Sequence, residues 1–274
     1  MADRFPGFVR GTSRPATIRA QGFEDRAALL VGTLTAGLLV AAEVALLLGG
    51  LVPGSVGHAI ALLGLMGLAR ARWNRPEGRL ALALTVIPVM RLASIALPAV
   101  IVPEYLWYVL IGIPTILAVG LAARALALRP ADLGLRRTPW RDAAILAAAG
   151  AALGLAGFVI GEPDPPPTGI SLTEIVVTSL TLVAFGAFLE ELLLRGLVQR
   201  VAAELVGGRA VIVSAALTGL LYLASLNLRY VVFMVAIAVL LGLVARRTGS
   251  IAAPVALHAV LLWTQLVLWP LVLG

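Results

Sequence analysis

The sequence has no cysteine and no lysine, and it carries little charge of either sign. Without cysteine, a disulfide framework, a thiolate metal site and a cysteine nucleophile are all excluded. Only 13% of the residues are charged and 61% are hydrophobic, whereas a typical soluble domain has about 25% charged residues. This shortage of polar side chains excludes both an ordinary soluble globule and a disordered chain.

Long apolar runs take the place of the missing charge. A helix needs roughly 20 residues to cross about 30 Å of hydrocarbon, and the sequence has no strand pattern that would close into a barrel. The sequence therefore predicts an all-α, polytopic membrane bundle with eight or nine transmembrane helices. The nine candidate spans are residues 27–49, 55–69, 80–102, 105–127, 143–160, 172–195, 210–228, 231–245 and 251–272.

The arginines lie mainly between the apolar runs and predict the orientation of the bundle, because positive residues are retained in short cytoplasmic loops. With nine spans, residues 1–26 and the arginine-containing loops after spans two, four, six and eight all lie on one side, and only Arg229 lies opposite. We therefore expect a cell-membrane protein with a cytoplasmic N-terminus. Topology, rather than nucleic-acid binding, then explains the net charge of +7.

The chain divides into a cytoplasmic segment 1–26, N-terminal transmembrane helices 27–130 and a core 131–274. Within the core, a stiff, acidic and proline-rich linker precedes the residues that could carry chemistry. Ser171 and Glu174 then have the spacing of a capping box, which predicts that a helix begins there.

Six ionisable residues and a second histidine stand inside the predicted spans, where each charge costs a few kcal/mol unless it is paired or hydrated. Glu43 and Arg91 are expected to pair across spans one and three, in a structural role rather than along a substrate path. His58 is expected to be a hydrogen-bonded packing residue. The full set is Glu43, His58, Arg91, Glu190, Glu191, Arg195 and His258.

The densest group of charges is Glu190, Glu191 and Arg195. On a helix, Glu191 and Arg195 share a face, and two neighbouring carboxylates in a dry site resist joint ionisation. Arg195 can hold one acid charged, which leaves Glu190 available as a general base for water. A structural ion pair, with Glu190 merely facing water, is the open alternative.

Helix geometry brings further polar residues toward this group. If the chain turns at residues 207–208, Glu190 and Ser225 each lie 17 residues from the turn, at matching depth. Asn227 follows Ser225 by less than one helical turn. His258, a short distance after a predicted cytoplasmic turn, can reach the same group. We therefore expect a polar cavity that is formed by spans six, seven and nine and opens toward the cytoplasmic side.

At these residues the sequence resembles the CPBP family, the CAAX proteases and bacteriocin-processing enzymes, also called the ABI family of intramembrane glutamic endopeptidases. The motif E-E-x-x-x-R matches at Glu190, Glu191 and Arg195. The motif F-x-x-x-H falls at Leu221–Ser225, where its histidine is lost. The motif H-x-x-x-N or H-x-x-x-D falls at His258–Leu262, where its final polar residue is lost.

This resemblance covers about residues 132–269 and implies an endopeptidase whose substrate is a membrane-associated protein or peptide. It implies that Glu190 activates water and that His258 helps to bind the oxyanion. Glu191 and Arg195 would support Glu190. No cofactor is expected. Glu190, Glu191 and His258 are the only plausible zinc ligands, and no His-x-x-x-His spacing exists, which argues against a zinc site.

The two departures from the family pattern bear directly on activity. Ser225 is a weak donor and no base, and Leu262 is neither, so each loss is expected to lower the rate by about 10² to 10⁴-fold. Ser225 and Asn227 are the possible substitutes for the lost family positions, and Asn227 could serve in part as an oxyanion donor, although its register differs by two positions. The alternative is therefore a catalytically inactive family member that acts as a membrane scaffold or binding protein. The oligomeric state is left open.

Overall fold

The computed structural model describes residues 15–97, 104–163 and 169–273. The predicted cytoplasmic segment 1–26 falls largely outside the described residues, and so does most of the proline-rich linker. The division of the chain at residue 130 stays a prediction.

All regular structure in the described ranges is helical, with no strand. The helices are α1 (Pro15–Gly49), α2 (Leu51–Ala71), α3 (Pro76–Leu84), α4 (Val86–Ala96), α5 (Glu104–Ala125), α6 (Trp140–Gly161), α7 (Leu172–Thr181), α8 (Leu189–Glu191), α9 (Gln199–Val206), α10 (Ala210–Tyr222), α11 (Leu228–Thr248), α12 (Ala252–Trp263) and α13 (Trp269–Leu273). The π-helical segments are Leu182–Phe188, Leu192–Val198 and Thr264–Leu268, and the 3₁₀ turns are Gly207–Arg209 and Leu223–Ser225.

Eight helical stretches of the described chain are long and apolar enough to cross a membrane. The sixth, Leu172–Ser225, has 54 residues, which would be about 81 Å long as a straight helix and far exceeds about 30 Å of hydrocarbon. It folds back at Gly207–Arg209, and beyond this turn Ser214 Oγ donates to the Leu194 carbonyl at 3.1 Å. This part of the chain therefore makes two passes, and the predicted all-α polytopic bundle is confirmed.

Several spans differ by a few residues from the predicted bounds, and two of them, the second and the third, begin four residues earlier than predicted. The second begins at Leu51 rather than residue 55, because Pro53 lies in the first turn, where a helix tolerates proline. The third begins at Pro76 rather than residue 80 and ends earlier than predicted, and its halves α3 and α4 meet at Thr85. Proline at the first helical position fixes that start.

Four loops meet at one end of the bundle, which we call the arginine end. Arg79 Nε donates to Glu204 Oε2 at 2.7 Å, and Ser250 Oγ donates to the Arg136 carbonyl at 2.8 Å. The loops that form this end are 72–75, 126–139, 207–209 and 249–251. They are loops that the sequence assigns to a single side of the membrane, and the cytoplasmic identity of that side stays a prediction.

The helical stretch that carries the acid pair lies at the centre of the bundle. Residues 191–198 are all buried, and Leu193, Leu194 and Leu197 are among the largest side chains with no exposed surface. Many large apolar side chains of the surrounding helices are exposed instead, as expected of surfaces that face lipid. Glu191 is therefore separated from lipid by other helices, whereas Glu190 is half-buried.

The predicted start of a helix at Ser171 is confirmed, and a glycine of α6 allows close packing against α12. Ser171 Oγ accepts the backbone N–H of Glu174 at 3.2 Å, and Glu174 Oε2 accepts the backbone N–H of Ser171 at 2.8 Å, which completes the capping box. Gly150 lies where α6 crosses α12, so that a Cβ there would collide with the Leu257 carbonyl. The small residues of α6 therefore allow two backbones to approach closely.

Candidate active site

The acid pair lies on α8, which is a single turn between two π-helical segments, Leu182–Phe188 and Leu192–Val198. The i→i+5 bonds of a π-helix put more residues into each turn than an α-helix does, and such segments are frequent at functional sites. Glu190 and Glu191 are therefore displayed by an irregular part of the central helix rather than by a continuous α-helix.

Glu191 is the centre of a buried ionic cluster. Its Oε1 accepts from Arg195 Nη1 at 3.1 Å and lies 2.9 Å from His258 Nδ1. Arg195 Nη2 also donates to the carbonyl of Ala238 at 3.2 Å. The predicted pairing of Glu191 with Arg195 is confirmed, and the cluster joins three passes of the bundle through side chains that are almost completely buried.

Glu190 is held at one of its oxygens only. Tyr222 Oη donates to Glu190 Oε2 at 3.2 Å, while Oε1 is buried and has no hydrogen-bond partner in the described structure. The carboxylate interacts electrostatically with His258, Arg195 and Glu191. One oxygen of Glu190 is therefore oriented by its neighbours, and the other can accept a proton or a hydrogen bond.

Glu190 lines a cavity of about 180 Å³, which we call the Glu190 cavity. Aromatic and apolar side chains form most of its wall, and Arg91 is a charged residue on it. The sequence predicts a polar cavity between spans six, seven and nine. Instead, α4 and α5 of the front half supply much of the lining, and no residue of span nine, His258 included, belongs to it among the described residues. The residues that line the cavity include Arg91, Trp107, Tyr108, Phe185, Leu221 and Tyr222.

Neither of the two proposed replacement donors, Ser225 and Asn227, forms a hydrogen bond with Glu190 or Glu191 in the described structure. Ser225 is exposed, and its hydroxyl donates to the Tyr222 carbonyl at 2.8 Å. Asn227 caps α11 by accepting the backbone N–H of Tyr230, and its amide donates to the Ile160 carbonyl at 2.8 Å. Both side chains are thus engaged in ending one helix and starting the next.

The position of Tyr222 has a simple geometric cause. It lies 14 residues after Gly208, whereas Glu190 lies 17 residues before Gly207. Because part of the intervening chain is π-helical, its residue count overstates its axial length. Counting equal numbers of residues from the turn therefore predicts that Ser225 lies opposite Glu190. In the folded hairpin, Tyr222 lies there instead.

Leu262, at the family position that has lost its polar residue, is buried in an apolar cluster with Leu257 and Leu261. One helical turn earlier, His258 Nε2 is buried without a hydrogen-bond partner in the described structure. The imidazole is therefore fixed at one nitrogen by Glu191 and open at the other.

The front half carries a second buried charge cluster. Arg91 Nε donates to Glu43 Oε1 at 2.6 Å, so the predicted pair across spans one and three is confirmed. Arg91 Nη2 donates to the Leu221 carbonyl at 2.6 Å and so ties the front half to α10. His58 is fully buried as expected, but its predicted hydrogen bond is wrong: its Nε2 lies 3.7 Å from Glu43 Oε1, and neither ring nitrogen has a hydrogen-bond partner among the described residues.

Sequence reasoning missed Tyr222 and Trp107 as members of the site. Trp107 lines the Glu190 cavity, and its indole N–H is buried without a hydrogen-bond partner in the described structure. An aromatic residue within the degenerate second motif was the available signal for Tyr222. No signal in the sequence places Trp107, because its approach to Glu190 depends on the packing of α5 against the central helix.

The potential metal ligands of the site are two carboxylates and one imidazole. In the described parts of the chain, no group of three or more His, Asp or Glu residues is arranged to hold a metal ion. The chemistry considered for the site therefore uses protein groups and water, and the expectation of no cofactor stays a prediction.

A buried Glu191, a half-buried Glu190, a buried imidazole and a cavity between the helices define an intramembrane polar site. Residues 172–264, about a third of the chain, match the model of the Rce1-like family, described as type II CAAX prenyl endopeptidase Rce1-like. This match supports membership of the chain in the CPBP/CAAX protease family, as the motifs predicted. No curated protein and no solved structure matches the chain.

Proposed function

We propose that this protein is an intramembrane endopeptidase that hydrolyses a peptide bond of a membrane-associated protein or peptide with a glutamate-activated water. The observation that carries the proposal is the position of the Glu190 carboxylate, which lines a cavity between the helices and has a buried, unpartnered Oε1. Glu43 Oε2 and Glu191 Oε2 are also buried without a partner in the described structure, but neither residue lines this cavity. Because an orphaned buried acceptor costs free energy, an acceptor beside a cavity favours a role in contacting water or substrate.

The charges of the site support one protonation pattern. Glu190 and Glu191 carry two negative charges, and Arg195 with a doubly protonated His258 carries two positive charges, so the buried group is neutral as a whole. Pairing of this kind lowers the cost of burial. In this form His258 donates from Nδ1 to Glu191 and keeps a second donor at Nε2.

The reaction then needs two groups at the scissile bond. Glu190 Oε1 takes a proton from water as the water oxygen bonds to the carbonyl carbon. The carbonyl electron pair moves onto its oxygen, which His258 Nε2 stabilises with a hydrogen bond. When the tetrahedral intermediate collapses, the C–N bond breaks and Glu190 returns the proton to the leaving amine, which yields a carboxylic acid and an amine.

Other residues of the cavity have supporting roles in this proposal. Tyr222 holds Glu190 Oε2, so that Oε1 remains directed to water. The indole N–H of Trp107 and the guanidinium of Arg91 line the same cavity, and each is a candidate for the second oxyanion donor. They would replace the donor that Ser225 or Asn227 was expected to supply.

We further propose that the protein resides in the cell membrane with its arginine end in the cytoplasm. The support is the concentration of arginine at one end of the bundle, which matches the retention of positive charge on the cytoplasmic side. A substrate would then be a membrane-associated chain that reaches the Glu190 cavity.

A second candidate function is a catalytically inactive membrane scaffold. The observation in its favour is that Glu191 Oε1 already binds both Arg195 and His258. Such a closed network holds helices together without any substrate, and the side chain of Leu262 cannot help to bind an oxyanion.

The experiment compares cleavage products in membranes from cells that express the wild type, Glu190→Gln or Glu204→Gln. The last variant is the matched control, because Glu204 lies on α9 at the arginine end, where it binds Arg79. We expect new peptide termini with the wild type and with Glu204→Gln, and a loss of at least 10²-fold with Glu190→Gln.

Equal product formation by Glu190→Gln and the wild type would refute the mechanism. The absence of any product from a correctly inserted wild-type protein would favour the scaffold function. Comparable levels and unfolding temperatures of the three proteins are needed for either conclusion.

A further inference from the structure

A separate cavity lies at the arginine end of the bundle, with a volume of about 270 Å³. We call it the arginine cavity. Three arginines from two passes line it, namely Arg195 and Arg200 on the central helical stretch and Arg246 on α11. Arg200 and Arg246 are exposed, whereas Arg195 is buried, so the positive charge extends from the surface into the bundle.

The charge of this lining is not balanced. Arg195 is paired with Glu191, and Asp132, the one acidic residue of the lining, is paired with Arg129, so Arg200 and Arg246 leave a formal +2. The backbone N–H of Arg129 donates to Asp132 Oδ2 at 3.0 Å, and the guanidinium of Arg129 donates to it at 3.3 Å. These bonds hold the pKa of Asp132 below its usual range, so the carboxylate stays charged and bound to Arg129.

Two guanidinium nitrogens at this cavity have no partner or a weak one in the described structure. Arg195 Nε is buried without a hydrogen-bond partner in the described structure, and Arg246 Nη1 makes only a long bond of 3.4 Å to the Gly208 carbonyl. Glycine at position 208 allows this approach, because a Cβ there would lie 2.5 Å from Arg246 Nη1. The turn thus leaves room for Arg246 beside a cavity that is positive and open at the surface.

We propose that the arginine cavity binds a phosphate group, carried either by a lipid headgroup or by a soluble phosphorylated molecule. Phosphate oxygens match the planar fork of guanidinium donors, and an anionic group would offset the formal +2 of the lining. Basic pockets between helices at the cytoplasmic end of a membrane protein have the depth at which lipid headgroups lie. The proposal does not depend on the hydrolysis proposed above.

The test uses the full-length protein and a paired charge control. Arg200→Gln/Arg246→Gln removes two cavity arginines, and Arg209→Gln/Arg247→Gln removes two exposed arginines at the same end that do not line the cavity. Binding is measured to vesicles of phosphatidylcholine alone and to vesicles that also contain phosphatidic acid. Inorganic phosphate is added to the detergent-solubilised protein in a separate series.

We expect the wild type and the Arg209/Arg247 control to bind phosphatidic acid, and the Arg200/Arg246 variant to bind at least tenfold more weakly. Stabilisation by inorganic phosphate that is lost only in the cavity variant would support a soluble source, and binding confined to vesicles would support a lipid source. Equal weakening in both variants, or no binding of either probe, would overturn the proposal. Equal unfolding temperatures without phosphate show that both variants fold.

Discussion

The ion-pair and hydrogen-bond partners of the buried acids indicate which of them have a structural role and which is available for chemistry. Glu43 is bound by Arg91, and Glu191 is bound by Arg195 and His258. A buried charge without a counter-charge is costly, so these ion pairs account for the presence of those residues, although each acid keeps one buried oxygen without a partner in the described structure. Glu190 differs because its hydrogen-bond donor is the neutral phenol of Tyr222 and because its carboxylate lines a cavity. Its unpartnered oxygen is therefore placed to bind a ligand or water.

The Glu43–Arg91 pair gives a prediction that does not depend on any substrate. Arg91→Leu should lower the free energy of unfolding by about 3–5 kcal/mol, because it leaves the carboxylate of Glu43 buried without its cation. Glu43→Leu/Arg91→Leu should recover most of this loss. The measurement is thermal unfolding in detergent for the wild type, both single variants and the double variant.

If the double variant is no more stable than Arg91→Leu, then the bond from Arg91 to the Leu221 carbonyl, rather than the ion pair, is the dominant contact. That outcome would contradict the electrostatic account of this cluster.

At the scale of helices, the π-helical segments decide which residues face one another. The sequence predicts a regular helix over residues 172–195, and the structure interrupts it with π turns on both sides of the acid pair. Apolar periodicity does not reveal this change, because the flanking residues are apolar on every face of the buried helix. The result is that Tyr222 contacts Glu190, while Ser225 lies in the turn that follows α10.

Close packing of α6 on α12 yields a prediction for a single helix pair. Gly150→Ala should lower the free energy of unfolding by about 1–3 kcal/mol, because the added methyl group overlaps the Leu257 backbone. Gly120→Ala is the control, since nothing lies within 4 Å of a Cβ at that position on α5. Unfolding in detergent should distinguish the two, and equal stability of both variants would mean that α6 can move away from α12.

For the whole molecule, the absence of cysteine makes the orientation directly measurable. Arg137 lies at the arginine end, and Glu162 lies at the opposite end, where it pairs with Arg229 at 3.1 Å. Both residues are exposed. In intact cells, a membrane-impermeant maleimide should therefore label Glu162→Cys and should label Arg137→Cys only after the membrane is opened.

Labelling of both single-cysteine variants at the same side would contradict an odd number of passes between the two positions. Labelling of Arg137→Cys alone in intact cells would reverse the proposed orientation. The unchanged protein, which has no cysteine, is the blank for both measurements.

Two side-chain contacts join the front half of the chain to the rest of the bundle. Arg79 binds Glu204, and Arg91 binds the Leu221 carbonyl, so the N-terminal helices are tied to the hairpin of the central helix at two depths. Since α4 and α5 line the Glu190 cavity, the front half shapes the space available to a substrate. The sequence offered no reason to place it there, because its helices carry few polar residues.

What the sequence by itself determined was the class of structure and the identity of the central charges. Apolar length fixes membrane-spanning helices, the four-residue spacing fixes the Glu191–Arg195 pair, and the cost of buried charge singles out the acids. Only the tertiary structure decided that Tyr222 holds Glu190, that Trp107 and Arg91 share its cavity, and that Asn227 caps a helix instead. These contacts join passes that are distant in sequence, and their register depends on π turns and on crossings between helices, which no local pattern of residues encodes.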